Sequence, residues 1–557
     1  MRDRLSQQIS IHDQSQFELR LDYNQDCNLK KNCYRIQSYL FFPRSLRIDK
    51  HHYAKDVFYR DLKTNIRLKT PPIALNKLVD SENSSSLKAR ISQPLNKLLS
   101  GTAKSSDIED IIYELKVFGT VFRGQVVDQT NAILDLVDQV KDGVERYTTI
   151  CNDIQKTLKL FIKDITQAID VFRKLRSKFL RPTVPDRLNL VLEEINEFIS
   201  LAVDRHLSRL IFVVDAVSGL EVRLGASYPK TLALLKREAE YRRGAAYLSG
   251  NPLAHEGEKY VYRKSELKKT IMEVLFLRPK VQKEGGKTAQ AIAMLAAASA
   301  MIWALMALLL GHSAFVVNSM PFLLLMVFSY VVKDRIKDTI KTFLKERVLS
   351  KYFYDRKVDY YHNKTKQPVG YVRESSAFLD KSRVPEEILN ARYQSGRRFE
   401  SILYHDRVVT LFSKQFEQLY SAVTNFTRLS VDHFISKMDD ADVEIPCYVE
   451  QEDGIRPVKM SKVYHIHLVV KLSACCKAKD YALKHYRIVL NKRGIKRIEV
   501  LDGSSNIVAV IKHSVMENGQ EGQETVDPCD MAEEQEIPLA HTTKPATITT
   551  DEQKDEL

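Results

Sequence analysis

The chain has 557 residues, 44% of them hydrophobic, so it can bury a core and is long enough for about three or four domains. Its net charge of +14 is uneven, because residues 514–557 carry 12 acidic residues against 2 lysines, which leaves the remainder strongly basic. Seven irregularly spaced cysteines exclude a disulfide-rich scaffold, and the N-terminus lacks the apolar core of a signal peptide.

Residues 1–80 are predicted to form a small α+β region. Apolar and polar residues alternate over residues 16–24, which is typical of a half-buried strand. A second strand is expected over residues 33–42 and ends at Pro43. A polar linker over residues 81–104 follows.

The stretch from Arg44 to Pro72 interleaves basic and aromatic residues, which could bind an anion, a phosphate-bearing ligand or anionic lipid headgroups. The candidate ligand-binding residues are Arg44, Arg47, Lys50, Arg60, Lys63 and Arg67. The alternative is a short amphipathic helix, because Tyr53, Val57 and Phe58 lie near helical spacing and would face a core.

A helical bundle is predicted over residues 105–285. Ser106 and Glu109 form a capping box, and long segments with an apolar period of 3.6 follow, separated by a break at residues 182–185. The bundle contains no Glu-x-x-His pairs, so its apolar faces indicate core packing and give no sign of a di-metal site.

Residues 288–332 are predicted to form a transmembrane helical hairpin, because Ala291 to Val332 contains no Asp, Glu, Lys or Arg. A helix needs about 20 apolar residues to cross a bilayer, and the segments 291–310 and 314–332, separated at Gly311, each approach that length. Basic residues flank both ends, so the N- and C-termini are both expected in the cytoplasm.

Small residues recur along the first of these segments and could allow another helix to approach closely, either the second helix of the hairpin or that of another subunit. This small-residue seam comprises Ala293, Ala297, Ala300, Ala304, Ala307 and Gly311. An alanine-rich span without a packing role is the alternative. Residues 333–352 are expected to continue as a basic amphipathic stalk helix.

Residues 353–513 are predicted to form an α+β domain with an antiparallel meander, preceded by a helix near residues 413–428. Residues 514–557 are expected to be an acidic disordered tail. The tail ends in Lys-Asp-Glu-Leu, which matches an ER-retrieval signal, but a lumenal tail would violate the charge rule on both flanks.

Catalytic and nucleotide-binding motifs are absent from the sequence, and no cofactor is predicted. His465 and His467 share one face of a predicted strand and, with Cys475 and Cys476, are a candidate metal site that lacks the usual spacing. His405-Asp406 resembles the pair found in metal phosphohydrolases, but it lies in a strand-like run. Four acidic residues, Asp439, Asp440, Asp442 and Glu444, are taken as a solvated loop.

Together these patterns predict an α+β integral membrane protein that is mainly a helical bundle, with a two-helix transmembrane hairpin and a small antiparallel sheet domain near its C-terminal end. We expect a membrane-anchored, cytoplasm-facing scaffold or sensor with a protein partner, or a homo-oligomer formed through the Ala-rich helix. The alternatives are an uncommon enzyme on a phosphorylated or lipidic substrate, and a membrane-tethered nucleic-acid binder. Absent catalytic motifs disfavour the enzyme, and the apolar segment favours lipid over nucleic acid.

Overall fold

A computed structural model describes most of the chain. The described residues are 5–24, 29–79, 86–102, 104–141, 147–247, 254–282, 286–316, 319–344, 354–392, 400–415, 420, 422–449, 454–475, 477–502 and 507–512. The predicted acidic tail, the final part of the predicted stalk helix and Cys476 lie outside these residues.

The first part of the chain contains four strands and one short helix. These are β1 (Leu5–Asp13), β2 (Gln16–Asn24), β3 (Lys31–Pro43), α1 (Lys55–Asp61) and β4 (Leu62–Leu68). Strands β2 and β3 confirm the two strands predicted here. Helix α1 confirms a short amphipathic helix in the basic stretch, because Phe58 is buried and Val57 half-buried, whereas the buried Tyr53 lies just before the helix.

The next part is helical. Its elements are α2 (Leu75–Leu78), α3 (Leu87–Leu99), α4 (Ser105–Lys141), α5 (Tyr147–Phe179), α6 (Asp186–Asp215), α7 (Leu220–Arg223), α8 (Ser227–Gly244) and α9 (Ala254–Met272). Helices α4, α6 and α9 meet at Gly119, where an added Cβ would lie 3.1 Å from Ile195 and 3.4 Å from Ile271. A glycine at this position therefore permits the close approach of three helices.

The remaining elements alternate between sheet and helix. They are β5 (Arg278–Gln282), α10 (Gly286–Ala314), α11 (Met320–Leu344), β6 (Arg356–Tyr361), β7 (Pro368–Leu379), α12 (Glu386–Asn390), β8 (Glu400–Phe412), β9 (Ala422–Ser430), α13 (Asp432–Ile435), β10 (Asp442–Val449), β11 (Gly454–Ser461), β12 (Tyr464–Ala474), β13 (Lys477–Asn491), β14 (Gly494–Leu501) and β15 (Ile507–Lys512).

Three sheets are formed. The largest has nine strands in the order β15-β14-β13-β12-β3-β8-β7-β6-β5, a second has the order β1-β2-β9-β4, and β10 pairs with β11. Strand β3 lies between β8 and β12 and runs antiparallel to both. Strands from opposite ends of the sequence therefore share the centre of one sheet, where Cys33 and Cys475 form a disulfide bond.

The chain divides into two compact units. The first comprises residues 1–71, 274–498 and 502–505, and the second comprises residues 72–273, 499–501 and 506–557. The first unit holds most of the strands and the helices α10 and α11. The second holds helices α2 to α9.

The predicted fold class is wrong in two respects. Within the described residues, one helical segment, Ala289–Ala314, is long and apolar enough to cross a membrane, so the predicted pair of transmembrane helices is not present. The physical reason lies in α11, which begins at Met320 and reaches Lys333 after 13 charge-free residues, or about 20 Å of helix against a hydrocarbon core of about 30 Å.

The second error concerns the sheet. The antiparallel sheet expected to be small and C-terminal has nine strands and includes β3 from residues 31–43.

The predicted meander is confirmed as β12 to β15, but the helix expected over residues 413–428 is wrong, because residues 422–430 form β9. That strand pairs with both β2 and β4, and this long-range pairing outweighs its local helical pattern.

Candidate functional site

Helix α10 exposes an unusually apolar surface. The most apolar 18-residue window within Ala289–Ala314 has a mean hydropathy of 2.3, and only 17% of that window is buried. The exposed large side chains are Met294, Leu295, Met301, Ile302, Trp303, Leu305, Met306, Leu309 and Leu310. A contiguous apolar surface of this extent marks a place where a protein meets lipid or another protein.

Helix α11 packs beside α10 through small residues. A Cβ added at Gly311 would lie 2.9 Å from Leu325 and 3.4 Å from Phe322, and the His312 ring lies 5.3 Å from that of Phe322. Within the small-residue seam, Ala300 and Gly311 are buried, Ala297 is exposed, and Ala293, Ala304 and Ala307 are half-buried. At Gly311 the close partner is therefore α11 of the same chain.

The first half of α11 continues the apolar surface and its second half is charged. The exposed apolar residues are Met320, Leu323, Leu324, Val327, Phe328, Tyr330 and Val331. Beyond Val332 the helix carries Lys333, Asp334, Arg335, Lys337, Asp338 and Lys341. We call the apolar surface that α10 and α11 present together, from Met301 to Val332, the hairpin tip. Its charged boundary lies at Lys333.

The six predicted anion-binding residues differ in their exposure and in their contacts. Lys50, Arg60 and Lys63 are exposed, and Arg60 lies 3.8 Å from Asp61. Arg44 and Arg47 are exposed around a single 3-10 turn. Arg67 is instead buried, with its guanidinium 5.1 Å from the centre of the Phe426 ring. Burial makes Arg67 poorly placed to contact a ligand from solvent, and a binding role for the other five residues stays a prediction.

An ionic cluster that sequence reasoning missed lies inside the first unit. The Nε atom of Arg407 donates to Glu374 Oε1 at 2.9 Å, and its NH1 and NH2 groups donate to Thr427 and Thr64. Arg356 binds the second oxygen of Glu374. These bonds join β7 and β8 of the large sheet to β4 and β9 of the four-stranded sheet, so the cluster ties two layers together.

His405 is buried beside this cluster. Its ring lies 5.2 Å from that of Phe58, and among the described residues its Nε2 atom has no hydrogen-bond partner. Burial lowers the pKa of His405 to about 3, so the imidazole is neutral at physiological pH.

Asp406, the next residue, faces the other side of the strand and accepts two hydrogen bonds from Arg35, at 2.9 and 2.8 Å. The His405-Asp406 pair thus has its two side chains on opposite faces of β8.

His467, one of the two predicted metal-binding histidines, has another histidine as its neighbour, where the sequence predicted cysteines. His467 Nδ1 lies 3.0 Å from His485 Nε2, and burial lowers both pKa values, that of His467 to about 2 and that of His485 to about 4. Cys475 is bonded to Cys33. Over the described part of the chain, no group of three or more His, Cys, Asp or Glu side chains could hold a metal ion.

Each of the two units contains an open cavity. One, of about 510 Å³, is lined by Asp440, Ala441, Asp442, Glu444, Lys459, Lys492 and Arg493. The solvated loop predicted for the acidic cluster is wrong for Asp442 and Glu444, which lie in β10, and Asp442 lies 2.7 Å from Arg493. The other, of about 320 Å³, lies in the second unit and is lined by Leu190, Glu193, Glu194, Glu197, Ala246, Tyr247 and Arg263.

Comparison of the chain with protein-family models, with curated proteins and with solved structures finds no match. The physical properties of the surfaces described above therefore provide the basis for a functional proposal.

Proposed function

We propose that the protein is a membrane-anchored scaffold or sensor that acts through protein–protein or membrane-surface interactions, with α10 as its anchor. The observation that carries this proposal is the 26-residue segment Ala289–Ala314, which is highly apolar and mostly unburied. Removing apolar surface from water stabilises by about 25 cal/mol per Å², so contact with lipid offsets the cost of exposing this helix.

The charges next to the apolar surface support an anionic membrane as the partner. Helix α11 carries four basic residues after Val332, namely Lys333, Arg335, Lys337 and Lys341. The cytoplasmic leaflet has a negative surface potential that attracts basic residues near its surface. These residues therefore favour a cytoplasm-facing position for the charged half of α11.

The buried ionisable groups of the first unit favour an interaction role over catalysis. Arg407 and Glu374 are bonded to each other inside the fold, and His405 is neutral and fully enclosed. Groups enclosed in this way are poorly placed to contact a substrate. No specific observation favours either the uncommon enzyme or the nucleic-acid binder.

A protein partner remains part of the proposal. A second copy of the chain would meet the exposed side of α10 that includes Ala297, because Ala300 and Gly311 are buried within the chain. Crosslinking of the protein on vesicles would detect such a homo-oligomer as a band of twice the monomer mass.

Vesicle flotation with the full chain tests the anchor. We expect the protein to float with vesicles of phosphatidylcholine and phosphatidylglycerol, and to remain bound at high salt because apolar contact is insensitive to screening. The double substitution Leu305→Lys/Leu309→Lys places charges on the exposed face of α10 and should abolish flotation.

The matched control is Leu160→Lys/Leu190→Lys, which changes two exposed leucines on α5 and α6 and should float like the unmodified protein. Recovery of the unmodified protein at the bottom of the gradient would refute the anchor. Equal flotation of both double variants would assign membrane binding to another surface.

A further inference from the structure

We infer that the hairpin tip enters only one leaflet of the bilayer and does not cross it. This inference rests on the proposed function, since it assumes that the apolar surface meets lipid. It places the membrane boundary at the level of Trp303, Tyr330 and Lys333. The chain then enters the bilayer along α10 and leaves it along α11 through the same face.

The packing of the two helices sets their relative heights. A five-residue connection joins α10, which ends at Ala314, to α11, which begins at Met320, and Gly311 contacts Phe322 and Leu325 across the pair. Lys333 lies about ten residues beyond that contact, or roughly 15 Å along the helix axis. The residue of α10 at the same height lies about ten positions before Gly311, close to Ile302 and Trp303.

The charged half of α11 limits the depth. Lys333 is followed by Asp334, Arg335, Lys337 and Asp338 within six residues, and the last four are exposed. Charged side chains are costly in the hydrocarbon core, so this part of α11 stays outside it. Because α10 is packed beside α11, its first half is held at the height of these charges and stays outside as well.

The remaining length fits one leaflet. The charge-free part of α11, from Met320 to Val332, is about 20 Å long, and half of a bilayer core is about 15 Å thick. A tilted hairpin tip of this length therefore ends near the centre of the bilayer. Full crossing would require either the charged residues to enter the core or α10 to separate from α11.

The aromatic residues lie where this depth requires them. Trp303 is the single tryptophan of the chain and is exposed, as is Tyr330. The Nζ atom of Lys333 lies 4.0 Å from the centre of the Tyr330 ring. Tryptophan and tyrosine are enriched at the membrane–water interface, with lysine extending to the headgroups. Trp303, Tyr330 and Lys333 thus form an interfacial group at one height.

The polar groups at the end of the hairpin tip are satisfied locally. Ser313 Oγ donates to the carbonyl oxygen of Leu310 at 2.8 Å, and Ser319 Oγ accepts a hydrogen bond from the backbone N–H of Phe322 at 3.4 Å. The His312 ring packs against Phe322. Hydroxyls bonded to the helix backbone cost less to bury in lipid than free ones.

The fluorescence of Trp303 measures the depth directly in the unmodified full chain. Vesicles of phosphatidylcholine and phosphatidylglycerol would contain acyl chains brominated either near the carbonyl group or near the terminal methyl group. If the hairpin tip enters one leaflet, bromine near the carbonyl quenches Trp303 about twofold more strongly, because the indole lies at the interface. If α10 crosses the bilayer, Trp303 lies near the middle of the segment 289–314, and bromine near the terminal methyl quenches it more strongly.

A second variant reverses the expected pattern. Trp303→Phe/Ala314→Trp moves the single tryptophan to an exposed position at the end of α10. Insertion into one leaflet predicts strongest quenching near the terminal methyl group for this variant, whereas crossing predicts strongest quenching near the carbonyl group. If this variant fails to fold, the result for Trp303 in the unmodified chain still decides.

The outcomes separate the two proposals. A deep Trp303 in protein that floats overturns insertion into one leaflet and leaves the membrane anchor standing. Protein that does not float overturns both. Protein that floats with Trp303 quenched by neither lipid shows that another protein surface covers α10, which also overturns this inference.

Discussion

Arg407 on β8 donates its Nε hydrogen to Glu374 on β7 at 2.9 Å, and both side chains are almost completely buried, with 3% and 1% of their surfaces exposed. Burial by itself would raise the pKa of Glu374, but the positive charges of Arg407 and Arg356 hold it below its usual range. The pair is therefore fully ionised inside the fold and is a determinant of its stability.

Glu374→Gln should strongly destabilise the protein. The substitution leaves the buried guanidinium of Arg407 without its counter-charge, and breaking a buried pair from one side costs about 3–5 kcal/mol. Urea denaturation would measure the loss. Glu109→Gln is the control, because Glu109 and Arg187 form an exposed pair that should contribute less than about 1 kcal/mol. Equal effects of the two substitutions would contradict a stabilising role for the buried cluster.

His405→Leu should reduce the sensitivity of the protein to acid. The pKa of His405 is lowered from 6.5 to about 3 in the folded protein, so between these values the unfolded chain binds a proton that the folded protein does not. Stability therefore falls as pH decreases through this window, by up to about 1.4 kcal/mol per pH unit for this one group. The variant lacks this contribution.

Denaturation curves between pH 7 and pH 4 would test this expectation. The unmodified protein should lose more stability over that range than His405→Leu. Phe58→Leu is the control, since it changes a ring 5.2 Å from His405 without removing a titrating group, and it should retain the pH dependence of the unmodified protein. Parallel curves for the unmodified protein and His405→Leu would contradict this expectation, because they would show that folding does not lower the pKa of His405.

Gly494→Ala should destabilise the β13–β14 turn. Gly494 has φ of +135°, and a Cβ there would lie 2.4 Å from the backbone carbonyl oxygen of Gln14. Neither the backbone strain nor the clash can be relieved by a side-chain rotation, so we expect a loss of about 2 kcal/mol or more in thermal unfolding. Gly244→Ala is the control, because open space surrounds Gly244 at the end of α8, and it should be neutral.

The disulfide should be detectable as one covalent link between distant peptides. Digestion without reductant should give a peptide pair containing Cys33 and Cys475, which reductant separates. Cys33→Ser/Cys475→Ser should lower stability by about 2–4 kcal/mol, whereas Cys447→Ser, a half-buried free thiol, should have little effect. Free thiols at both residues in protein purified under oxidising conditions would contradict the bond.

Local patterns predicted many of the individual elements. The alternation over residues 16–24 and 33–42 indicated β2 and β3, and the meander predicted within residues 353–513 is formed by β12 to β15. The apolar period over residues 105–272 indicated the long helices. These features depend on the directions of side chains within one segment, which the order of residues determines.

Local patterns also misled at one strand. Residues 413–428 have a pattern compatible with a helix, yet residues 422–430 pair with β2 and β4 as β9. A strand placed between two others gains hydrogen bonds and packing on both edges. The sequence of the segment alone does not show which strands will flank it.

The sequence by itself determined that residues 291–332 are free of Asp, Glu, Lys and Arg and strongly apolar, and that charged residues follow Val332. Only the tertiary structure decided that α11 begins at Met320, that Gly311 contacts this helix, and that Lys333 therefore limits the apolar length of the pair. It likewise decided that Glu374 and Arg407, 33 residues apart, meet inside the fold. The reason is that composition fixes which groups must be buried or paired, whereas the partner of each group depends on contacts between segments that are distant in the chain.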